Sequence, residues 1–488
     1  MIELTLDDIA RATSGRLVPG RDGSTASTVV EGESQTDSRE VRPGQIFFAR
    51  RGEETDGHRF AGQAVDSGAA LLVVEREVDD RVAQIVVEDA TDALGALATE
   101  VVRRALAAAA DAHAADPDRP ELTIVGITGS NGKTTTKNLV QAMAERLGPT
   151  VASAKSFNNE VGGPLTMLRV SAETRTLVAE MGASAEGEIA RLTAMAPPRI
   201  GVVLSVGLAH AGEFGGIEST FRAKSEMVRD LPGTAVAVLN RDDPRVARMA
   251  ELTRARVVWF GLGSDADVRA ENVVSDAAGT RFTLHAGGEA APVNFRVLGE
   301  HHVMNALAAA AVGLELGLPL AEVVASLEAA TVAARWRMEV MGGRDGVTIV
   351  NDAYNASPDS MSAALRTLAQ ITAPGARSIA VLGEMSELGE FSIEEHRRIG
   401  LQAVRLGITE LVVVGPEARH LHISAVNEGS WDGESVFFED QDAAFEHLRR
   451  TLEPGDTVLV KSSNAAGLRR LGDRLGETYA VDAEGAES

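Results

Sequence analysis

Residues 126–135, GITGSNGKTT, have the composition of a loop that binds the phosphate groups of a nucleotide. The apolar run LTIVGIT enters this loop, and a segment with apolar residues at helical spacing leaves it. Glycines let backbone N–H groups face an anion, Lys133 would reach the β- and γ-phosphates, and the Thr134 hydroxyl would bind Mg²⁺. The alternative is a glycine-rich turn that only caps a helix, and Ile127 replaces the first glycine of the common pattern. Strand, loop and helix together favour ATP or GTP binding.

Two polar residues downstream stand where predicted strands end. Glu180 lies near the end of the apolar run RTLVAEM, and His210 lies in a glycine-rich loop just beyond the run RIGVVLSV. An unpaired carboxylate at a buried strand end is costly unless a cation is present. If both strands lie beside the strand that enters the phosphate loop, both residues meet Thr134 at one edge of the sheet. Each residue alone is more often structural, but the set predicts a Mg²⁺ site.

Lysine is rare in this chain, since only five of the 47 basic residues are lysine. Lys224 lies in the predicted helix STFRAKSEMVRDL, where a solvent-exposed lysine or simple codon bias is the ordinary explanation. In an arginine-rich chain, a retained lysine is a candidate for a role that needs a primary amine. A buried amine loses its proton readily, and the neutral form can bind CO₂ as a carbamate that supplies an oxygen ligand.

Four further residues have the types and positions expected at a nucleotide site. His301 and Asn305 are four residues apart at the start of an alanine-rich helix and therefore share a face. They would recognise a purine or substrate, or else cap the helix and face the core. Arg337 and Asp352 lie next to short apolar runs, and they could complete a nucleotide site from across a cleft.

The elements that position these residues alternate between strands and helices. Apolar runs such as AALLVVE, LTIVGIT, TAVAVLN and RSIAVLG are separated by helical segments, which predicts an α/β protein with parallel sheets. A helix with Thr91 as its N-cap is expected over residues 91–110, followed by a linker over 111–121. We predict three domains, at residues 1–112, 113–332 and 333–488.

Composition excludes several classes of protein. The net charge of −24 disfavours nucleic acid and anionic membranes as partners, so a phosphate ligand needs a local site. The absence of cysteine excludes disulfides, thiolate metal sites and cysteine nucleophiles. No charge-free apolar run is long enough to span a membrane, and the acidic N-terminus is unlike a signal peptide, so we expect a cytoplasmic protein.

Several segments together resemble the Mur ligases of peptidoglycan synthesis. They are TGSNGKTT, the strand ends at Glu180 and His210, FRAKSE, the His–Asn pair at 301 and 305, and NDAYNASPDSM. The segment TDSREVRPGQIFFARRGEETDGHRFAGQA resembles the uridine-diphosphate-sugar-binding domain of the later ligases in the series. FNNEVGGPLT, and NDAYNASPDSM with VLGEMSELGE, resemble the ligase that adds D-alanyl-D-alanine. The resemblance runs nearly from end to end.

This resemblance implies both a fold and a reaction. The N-terminal domain would bind the uridine sugar, the central domain would be a P-loop ATPase-like parallel sheet, and the C-terminal domain would be Rossmann-like. The enzyme would use ATP and Mg²⁺ to join D-Ala-D-Ala to UDP-N-acetylmuramoyl-tripeptide through an acyl phosphate. Closure of the C-terminal domain would exclude water from this intermediate. A cytoplasmic monomer is expected.

The resemblance also implies roles for individual residues. Those implied to be catalytic are Lys133, Glu180, His210 and Lys224. One Mg²⁺ would be held by Thr134 and Glu180, and a second by His210 and a carbamylated Lys224. The implied ATP-binding residues are Thr128, Gly129, Ser130, Asn131, Gly132, Lys133, Thr134, Asn305, Arg337 and Asp352. The implied substrate-binding residues are Ser38 and Arg39 at the uridine-sugar end, together with Asn158 and Asn159.

Three other functions remain open at this point. A folylpolyglutamate synthetase would share the central domain and the acyl-phosphate chemistry, but it is expected to have a folate pocket in place of the TDSR…DGH segment. A nucleotide-binding regulator could keep the fold without the chemistry, although Lys133, Glu180, His210 and Lys224 together argue against it. A simple phosphotransferase is the third alternative, and amide formation would distinguish the ligase from it.

Overall fold

The computed structural model describes residues 1–30, 32–52, 55–79, 81–154, 156–207, 216–276, 278–330, 335–428 and 431–481. Three large sheets follow one another along the chain, and helices cover them. This architecture confirms the predicted α/β class with three domains. The domain boundaries after residues 112 and 332 stay predictions.

The first sheet has the strand order β2-β7-β6-β5-β4, in which β4 to β7 are parallel and β2 is antiparallel to β7. Its strands IFF and LLVV are buried at every residue, and alternate side chains enter two different apolar cores. Such continuous apolar runs are typical of parallel strands covered on both faces. The elements of this region are β1 (Leu4–Thr5), α1 (Leu6–Ala12), β2 (Arg16–Val18), β3 (Val29–Val30), β4 (Ser34–Gln35), β5 (Ile46–Phe48), α2 (Ala61–Asp66), β6 (Leu71–Val74), β7 (Ala83–Val86) and α3 (Ala90–Ala115).

Helix α3 differs from its prediction at both ends. Asp89, not Thr91, is the N-cap, because the Asp89 carboxylate accepts hydrogen bonds from the backbone N–H groups of Thr91 and Asp92 at 2.7 and 2.8 Å. The helix continues to Ala115, so the first five residues of the predicted linker are helical. Alanine has the highest helix propensity, and the alanine-rich stretch therefore prolongs the helix past the polar residues that suggested a linker.

The second sheet has nine strands in the order β16-β15-β14-β13-β12-β11-β8-β10-β9. Strand β8 lies between β10 and β11 and is parallel to both, which confirms the arrangement assumed for the metal site. The predicted alternation missed the antiparallel strands β14, β15 and β16. The elements are β8 (Thr123–Thr128), α4 (Lys133–Glu145), β9 (Thr150–Ala152), α5 (Gly162–Met167), β10 (Thr176–Glu180), α6 (Glu188–Met195), β11 (Ile200–Val203), α7 (Ile217–Arg229), β12 (Val236–Asn240), α8 (Pro244–Arg248), β13 (Arg256–Gly261), β14 (Val268–Asp276), β15 (Gly279–Ala286), β16 (Glu289–Phe295), α9 (His301–Glu315) and α10 (Leu320–Ala329).

The third sheet has the order β17-β18-β22-β19-β20-β21, and only β17 is antiparallel to its neighbour. Helices α11, α12 and α13 contribute to one core and α14 and α15 to another, so the sheet is doubly wound. The elements are β17 (Glu339–Gly342), β18 (Thr348–Asn351), α11 (Pro358–Ile371), β19 (Ser378–Leu382), α12 (Ser392–Arg405), β20 (Glu410–Val414), α13 (Arg419–Val426), β21 (Glu434–Phe438), α14 (Gln441–Thr451), β22 (Thr457–Lys461) and α15 (Arg469–Thr478). Within the described ranges, no helix is both long and apolar enough to cross a bilayer.

Candidate active site

The phosphate loop joins β8 to α4 as predicted. Gly132 is the residue before α4 and has φ +85°, a left-handed conformation that glycine adopts without strain. A Cβ atom at this position would lie 2.2 Å from Oδ1 of Asn305, so the loop also needs a glycine for close packing. The Lys133 ammonium donates a hydrogen bond to the Gly129 carbonyl at 2.7 Å. Burial lowers the pKa of Lys133, while the charge of Glu180 opposes this effect.

The Thr134 hydroxyl and the Glu180 carboxylate meet at the end of the sheet. Strand β10 is in register with β8, and Glu180 pairs with Ile127 directly before the phosphate loop. The Thr134 hydroxyl donates to Oε2 of Glu180 at 3.0 Å, and the side-chain amide of Asn158 donates to Oε1 at 2.7 Å. Glu180 is 1% exposed. The predicted meeting of Thr134 and Glu180 is confirmed.

His210, the third residue predicted at this edge, lies in the segment 208–215, outside the described residues. Elsewhere in the described chain, no group of three histidine, cysteine, aspartate or glutamate side chains forms a metal cluster. A cation at this edge would therefore find the Glu180 carboxylate and the Thr134 hydroxyl as its described protein ligands.

Lys224 is buried on α7, with 2% of its surface exposed. Its Nζ donates to the Ala183 carbonyl at 3.4 Å. Burial, and then the charge of Lys133, lower the pKa of Lys224 from 10.5 to about 7. The explanation that Lys224 is a solvent-exposed helix residue is therefore wrong, and its amine lies near enough to Lys133 to feel the charge of that residue.

Helix α9 brings two histidines and an asparagine to the other side of the loop. The predicted His301 and Asn305 both line the cavity beside the loop, which confirms their shared face. Sequence reasoning missed His302, whose Nδ1 lies 3.0 Å from the amide nitrogen of Asn305, while the Thr136 hydroxyl donates to Oδ1 of Asn305 at 3.4 Å. Burial lowers the pKa of His301 to about 4 and that of His302 well below its usual value, so both rings are neutral at neutral pH.

Arg337 reaches from the C-terminal domain to the phosphate loop. One guanidinium nitrogen, Nη2, donates to the hydroxyls of Thr134 at 3.3 Å and Ser156 at 3.4 Å. The guanidinium stacks on the Tyr354 ring at 4.1 Å, and the Tyr354 hydroxyl donates to Ser156 at 3.0 Å. The structure therefore brings Arg337 to the phosphate loop from across the cleft. Its contact with a nucleotide stays a prediction.

Asp352 lies at the end of β18 and is held by Lys461. The Lys461 ammonium is 2.6 Å from Oδ2 of Asp352 and donates to the Asn355 carbonyl at 3.0 Å. A second contact between domains lies nearby, where the Ser357 hydroxyl donates to Oδ1 of Asn131 at 3.1 Å. Asp352 therefore lines the cleft, as predicted, and one of its carboxylate oxygens is paired with the buried ammonium of Lys461.

These residues enclose a cavity of about 310 Å³ between the central and C-terminal domains. Three cationic side chains, Lys133, Arg337 and Lys461, line it together with the carboxylates of Glu180 and Asp352. Backbone N–H groups at the N-terminus of α4 add positive potential. The arrangement suits a polyphosphate that is bound between two domains.

A second cavity of about 780 Å³ shares Lys133 and Asn158 with the first. Asn159 also lines it, and its Oδ1 accepts hydrogen bonds from backbone N–H groups at the start of α5, at 2.9 Å from that of Gly162. A larger substrate that enters this second cavity would therefore reach Lys133.

Ser38 and Arg39 lie apart from these cavities. The Ser38 hydroxyl donates to Oε1 of Gln63 at 3.0 Å, and Arg39 pairs with Asp37 at 2.6 Å. Their described hydrogen bonds stay within the N-terminal domain. The structure thus does not bring these two residues to the phosphate loop.

Three family models match successive parts of the chain. They are the Mur ligase family, catalytic domain, over residues 34–146; the Mur ligase middle domain over 127–313; and the Mur ligase, glutamate ligase domain over 336–464. The UDP-N-acetylmuramoyl-tripeptide--D-alanyl-D-alanine ligase of Mycobacterium tuberculosis (strain ATCC 25618 / H37Rv) is 46% identical, with 97% of this chain and 98% of the relative covered. The chain belongs to the Mur ligase family.

Solved structures resemble this Mur ligase over nearly its whole length. A crystal structure of MurF from Acinetobacter baumannii has a TM-score of 0.85 at 30% identity and covers 97% of this chain and 99% of that one. MurF from Thermotoga maritima in complex with ADP has a TM-score of 0.78 at 28% identity and covers 92% and 98%. The Escherichia coli (strain K12) ligase named as above is 32% identical over 96% of this chain and 98% of the relative.

Proposed function

We propose that this chain is an ATP-dependent ligase that adds D-alanyl-D-alanine to UDP-N-acetylmuramoyl-tripeptide in the synthesis of peptidoglycan precursors. One observation carries this proposal: the 46% identity to a ligase of that name extends over 97% of the chain. All three sheets are included in that match. The phosphate loop, with Glu180 on one side and Arg337 on the other, supplies the groups that such a reaction needs.

The reaction has two covalent steps. A carboxylate oxygen of the tripeptide attacks the γ-phosphorus of ATP, the bond from that phosphorus to the β–γ bridging oxygen breaks, and ADP leaves. The neutral amine of D-Ala-D-Ala then attacks the acyl carbon, the bond from that carbon to the phosphate oxygen breaks, and inorganic phosphate leaves. The nitrogen loses a proton as the amide forms. Both steps bring anionic or electron-rich groups together, so cationic charge at the transferred phosphoryl group lowers the barrier.

ATP would bind along the phosphate loop, residues 128–134, in the smaller cavity. Lys133 and Arg337 would neutralise the phosphoryl oxygens, because both line this cavity and Arg337 already contacts the neighbouring Thr134. Asn305 and Asp352 would contact the nucleoside, since they line the same cavity at its α9 and β18 sides. Contact between the two domains would exclude water from the acyl phosphate.

The donor set beside the loop fits Mg²⁺. The Glu180 carboxylate and the Thr134 hydroxyl are hard oxygen ligands 3.0 Å apart, and they would hold the ion together with phosphate oxygens. When bound, Mg²⁺ offsets the charge of the phosphates and orients them for in-line attack. We extend the site to His210 by family resemblance alone.

A carbamate on Lys224 fits the buried position of this residue. The lone pair of a neutral amine attacks CO₂, an N–C bond forms, and one proton is released. Because burial lowers the pKa of Lys224 to about 7, the neutral amine is well populated at neutral pH. The resulting carboxylate-like group would be an oxygen ligand for a second Mg²⁺, and its negative charge would offset the nearby Lys133.

The remaining substrate would extend away from the phosphates. The peptide end of the UDP-N-acetylmuramoyl-tripeptide would lie in the larger cavity, where Asn158 and Asn159 line the wall next to Lys133. Its uridine-sugar end would contact Ser38 and Arg39 in the N-terminal domain. From the family resemblance, we also propose that the chain acts as a monomer in the cytoplasm.

The test is a reaction of the purified chain with ATP, Mg²⁺ and UDP-N-acetylmuramoyl-tripeptide, with and without D-Ala-D-Ala. Phosphate release would be followed together with the product mass. We expect an amide product and stoichiometric phosphate only when D-Ala-D-Ala is present. Phosphate release without an amide would contradict the ligase, and dihydrofolate with glutamate in place of both substrates tests the folylpolyglutamate alternative.

A further inference from the structure

Arg337 is held between two strained residues. Trp336 has φ +62° and Met338 has φ +51°, and neither is glycine. A left-handed backbone is sterically unfavourable for a residue that carries a Cβ atom, because the Cβ atom approaches the following carbonyl oxygen. Such strain persists only where surrounding contacts fix the backbone, and it is concentrated at functional sites. The segment 335–338, here called the arginine segment, must therefore be anchored by specific contacts.

The described anchors converge on Trp336. Its indole Nε1–H donates to both carboxylate oxygens of Asp473 at 3.0 Å, and its backbone N–H donates to Oε2 of Glu339 at 2.8 Å. Its carbonyl accepts a hydrogen bond from the backbone N–H of Tyr354 at 3.1 Å. On the other side of Arg337, the Met338 N–H donates to Oδ1 of Asp352 at 3.0 Å.

Asp473 is an anchor that lies outside the cavity. It belongs to α15, the last helix of the described residues, and 21% of its side chain is exposed. Its carboxylate also accepts a hydrogen bond from the Asn351 amide at 3.1 Å and pairs with Arg335 at 3.1 Å. The Asp473 carboxylate thus links Arg335 and Trp336, the first two residues of the arginine segment, to Asn351 at the end of β18.

We propose that Asp473 is a positioning residue for Arg337 and acts through the indole of Trp336. The carboxylate fixes the indole, the fixed indole keeps the Trp336 backbone left-handed, and this backbone directs the guanidinium towards Thr134 across the cleft. The inference rests on the proposed ATP-dependent reaction, in which Arg337 neutralises the transferred phosphoryl group. Asp473 itself does not line the cavity.

The expected effect follows from the type of hydrogen bond that is lost. Bonds to charged groups contribute about 1.5–3 kcal/mol, or roughly 10- to 150-fold, and the other anchors of Trp336 remain. For Asp473→Ala we expect the dissociation constant of ATP to rise about tenfold and kcat/KM for ATP to fall by a similar factor. KM for D-Ala-D-Ala should not change. Asp473→Asn keeps an acceptor oxygen and should restore most of the loss.

The decisive comparison repeats Asp473→Ala in an Arg337→Ala background. If Asp473 acts through Arg337, the second change should have less than a twofold further effect on ATP binding. Effects that multiply, or an Asp473→Ala variant with normal ATP binding, would overturn the proposal. Trp336→Phe keeps an aromatic ring but removes the five-membered ring that carries the indole N–H. It should reproduce the tenfold effect, so it decides the question if Asp473→Ala does not fold.

Asp442→Asn is the matched control. Asp442 pairs with Arg474, the residue after Asp473, at 2.5 Å, and its side chain is 85% exposed, so ATP binding should be unchanged. ATP binding measured by calorimetry does not depend on ligation. A wild-type protein that binds ATP but forms no amide would contradict the proposed function, while the variants would still decide the role of Asp473.

Discussion

The buried amine of Lys224 should destabilise the folded protein at neutral pH. In the unfolded chain this amine keeps its proton up to about pH 10.5, whereas in the folded protein its pKa is about 7. Between these pH values the unfolded chain binds more protons, so the contribution of this group to stability rises with pH by about 1.4 kcal/mol per pH unit. Below pH 7 the full penalty, roughly 5 kcal/mol, applies.

Lys224→Met keeps an unbranched side chain of similar length and removes the charge. At pH 7 the penalty removed is about 4 kcal/mol, and the Ala183 carbonyl, which loses its donor, offsets about 1 kcal/mol of it. We therefore expect the free energy of unfolding to rise by about 3 kcal/mol at pH 7. The gain should be about 2 kcal/mol smaller at pH 9, where more of the wild-type penalty has gone.

Lys224→Arg is the contrasting variant, because guanidinium stays charged throughout this pH range. It should be less stable than the wild type at pH 9, with no gain on going from pH 7 to pH 9. Both variants should bind ATP and lose ligation, since neither can form a carbamate. The measurements are urea unfolding in CO₂-free buffer, ATP binding, and D-Ala-D-Ala-dependent phosphate release.

Two results would refute this reasoning. If Lys224→Met were no more stable than the wild type at pH 7, or if its gain were the same at pH 9, the buried amine would not be the source of strain. Near-normal ligation by Lys224→Arg would remove the carbamate, whatever the stability of the variant.

Three other changes test separate parts of the site. Glu180→Gln should raise the Mg²⁺ concentration needed for half-maximal activity by at least tenfold. The variant loses the charged ligand, and the Thr134 hydroxyl remains as the other described protein ligand. An unchanged Mg²⁺ titration would contradict this role of Glu180. Gly132→Ala should weaken ATP binding, measured by calorimetry, at least tenfold. The new Cβ atom would lie 2.2 Å from Oδ1 of Asn305, and the φ of +85° at this position is unfavourable for alanine. Normal ATP binding would show that the loop does not bind phosphate. In steady-state assays, Ser38→Ala should raise KM for the UDP-linked substrate and leave KM for ATP unchanged. A parallel rise in both KM values would argue against binding of the uridine sugar by Ser38.

The meeting of Thr134 and Glu180 could be predicted from local patterns. Apolar runs identified β8 and β10, and the glycine-rich loop identified the start of α4. Because parallel neighbouring strands end at the same edge, two residues 46 positions apart are brought together by a general rule of sheet topology. Lysine is rare in this chain, and this rarity likewise made Lys224 a candidate for a buried amine.

The anchoring of Arg337 could not be predicted in this way. Trp336 and Asp473 are 137 residues apart, and α15 reads as an ordinary polar surface helix. Their contact depends on how β18 and α15 pack, which no spacing in the sequence encodes. His302 was missed because the spacing argument paired His301 with Asn305 at four residues, although three residues apart also shares a helix face.

The antiparallel strands β14, β15 and β16 were missed for a different reason. Each has one covered face, so buried and exposed residues alternate along much of β15 and no apolar run stands out. Runs of that kind were the signal that located the parallel strands. The continuous sheet that results still leaves β8 between β10 and β11, so the site does not depend on this omission.

The most direct test of the central claim follows one oxygen atom. UDP-N-acetylmuramoyl-tripeptide labelled with ¹⁸O in its reacting carboxylate would be incubated with the protein, ATP, Mg²⁺ and D-Ala-D-Ala. If the carboxylate attacks the γ-phosphate at this site, one labelled oxygen should appear in the inorganic phosphate for each amide formed. Unlabelled phosphate, with the label retained by the peptide or lost to water, would contradict the acyl phosphate and the mechanism built on it.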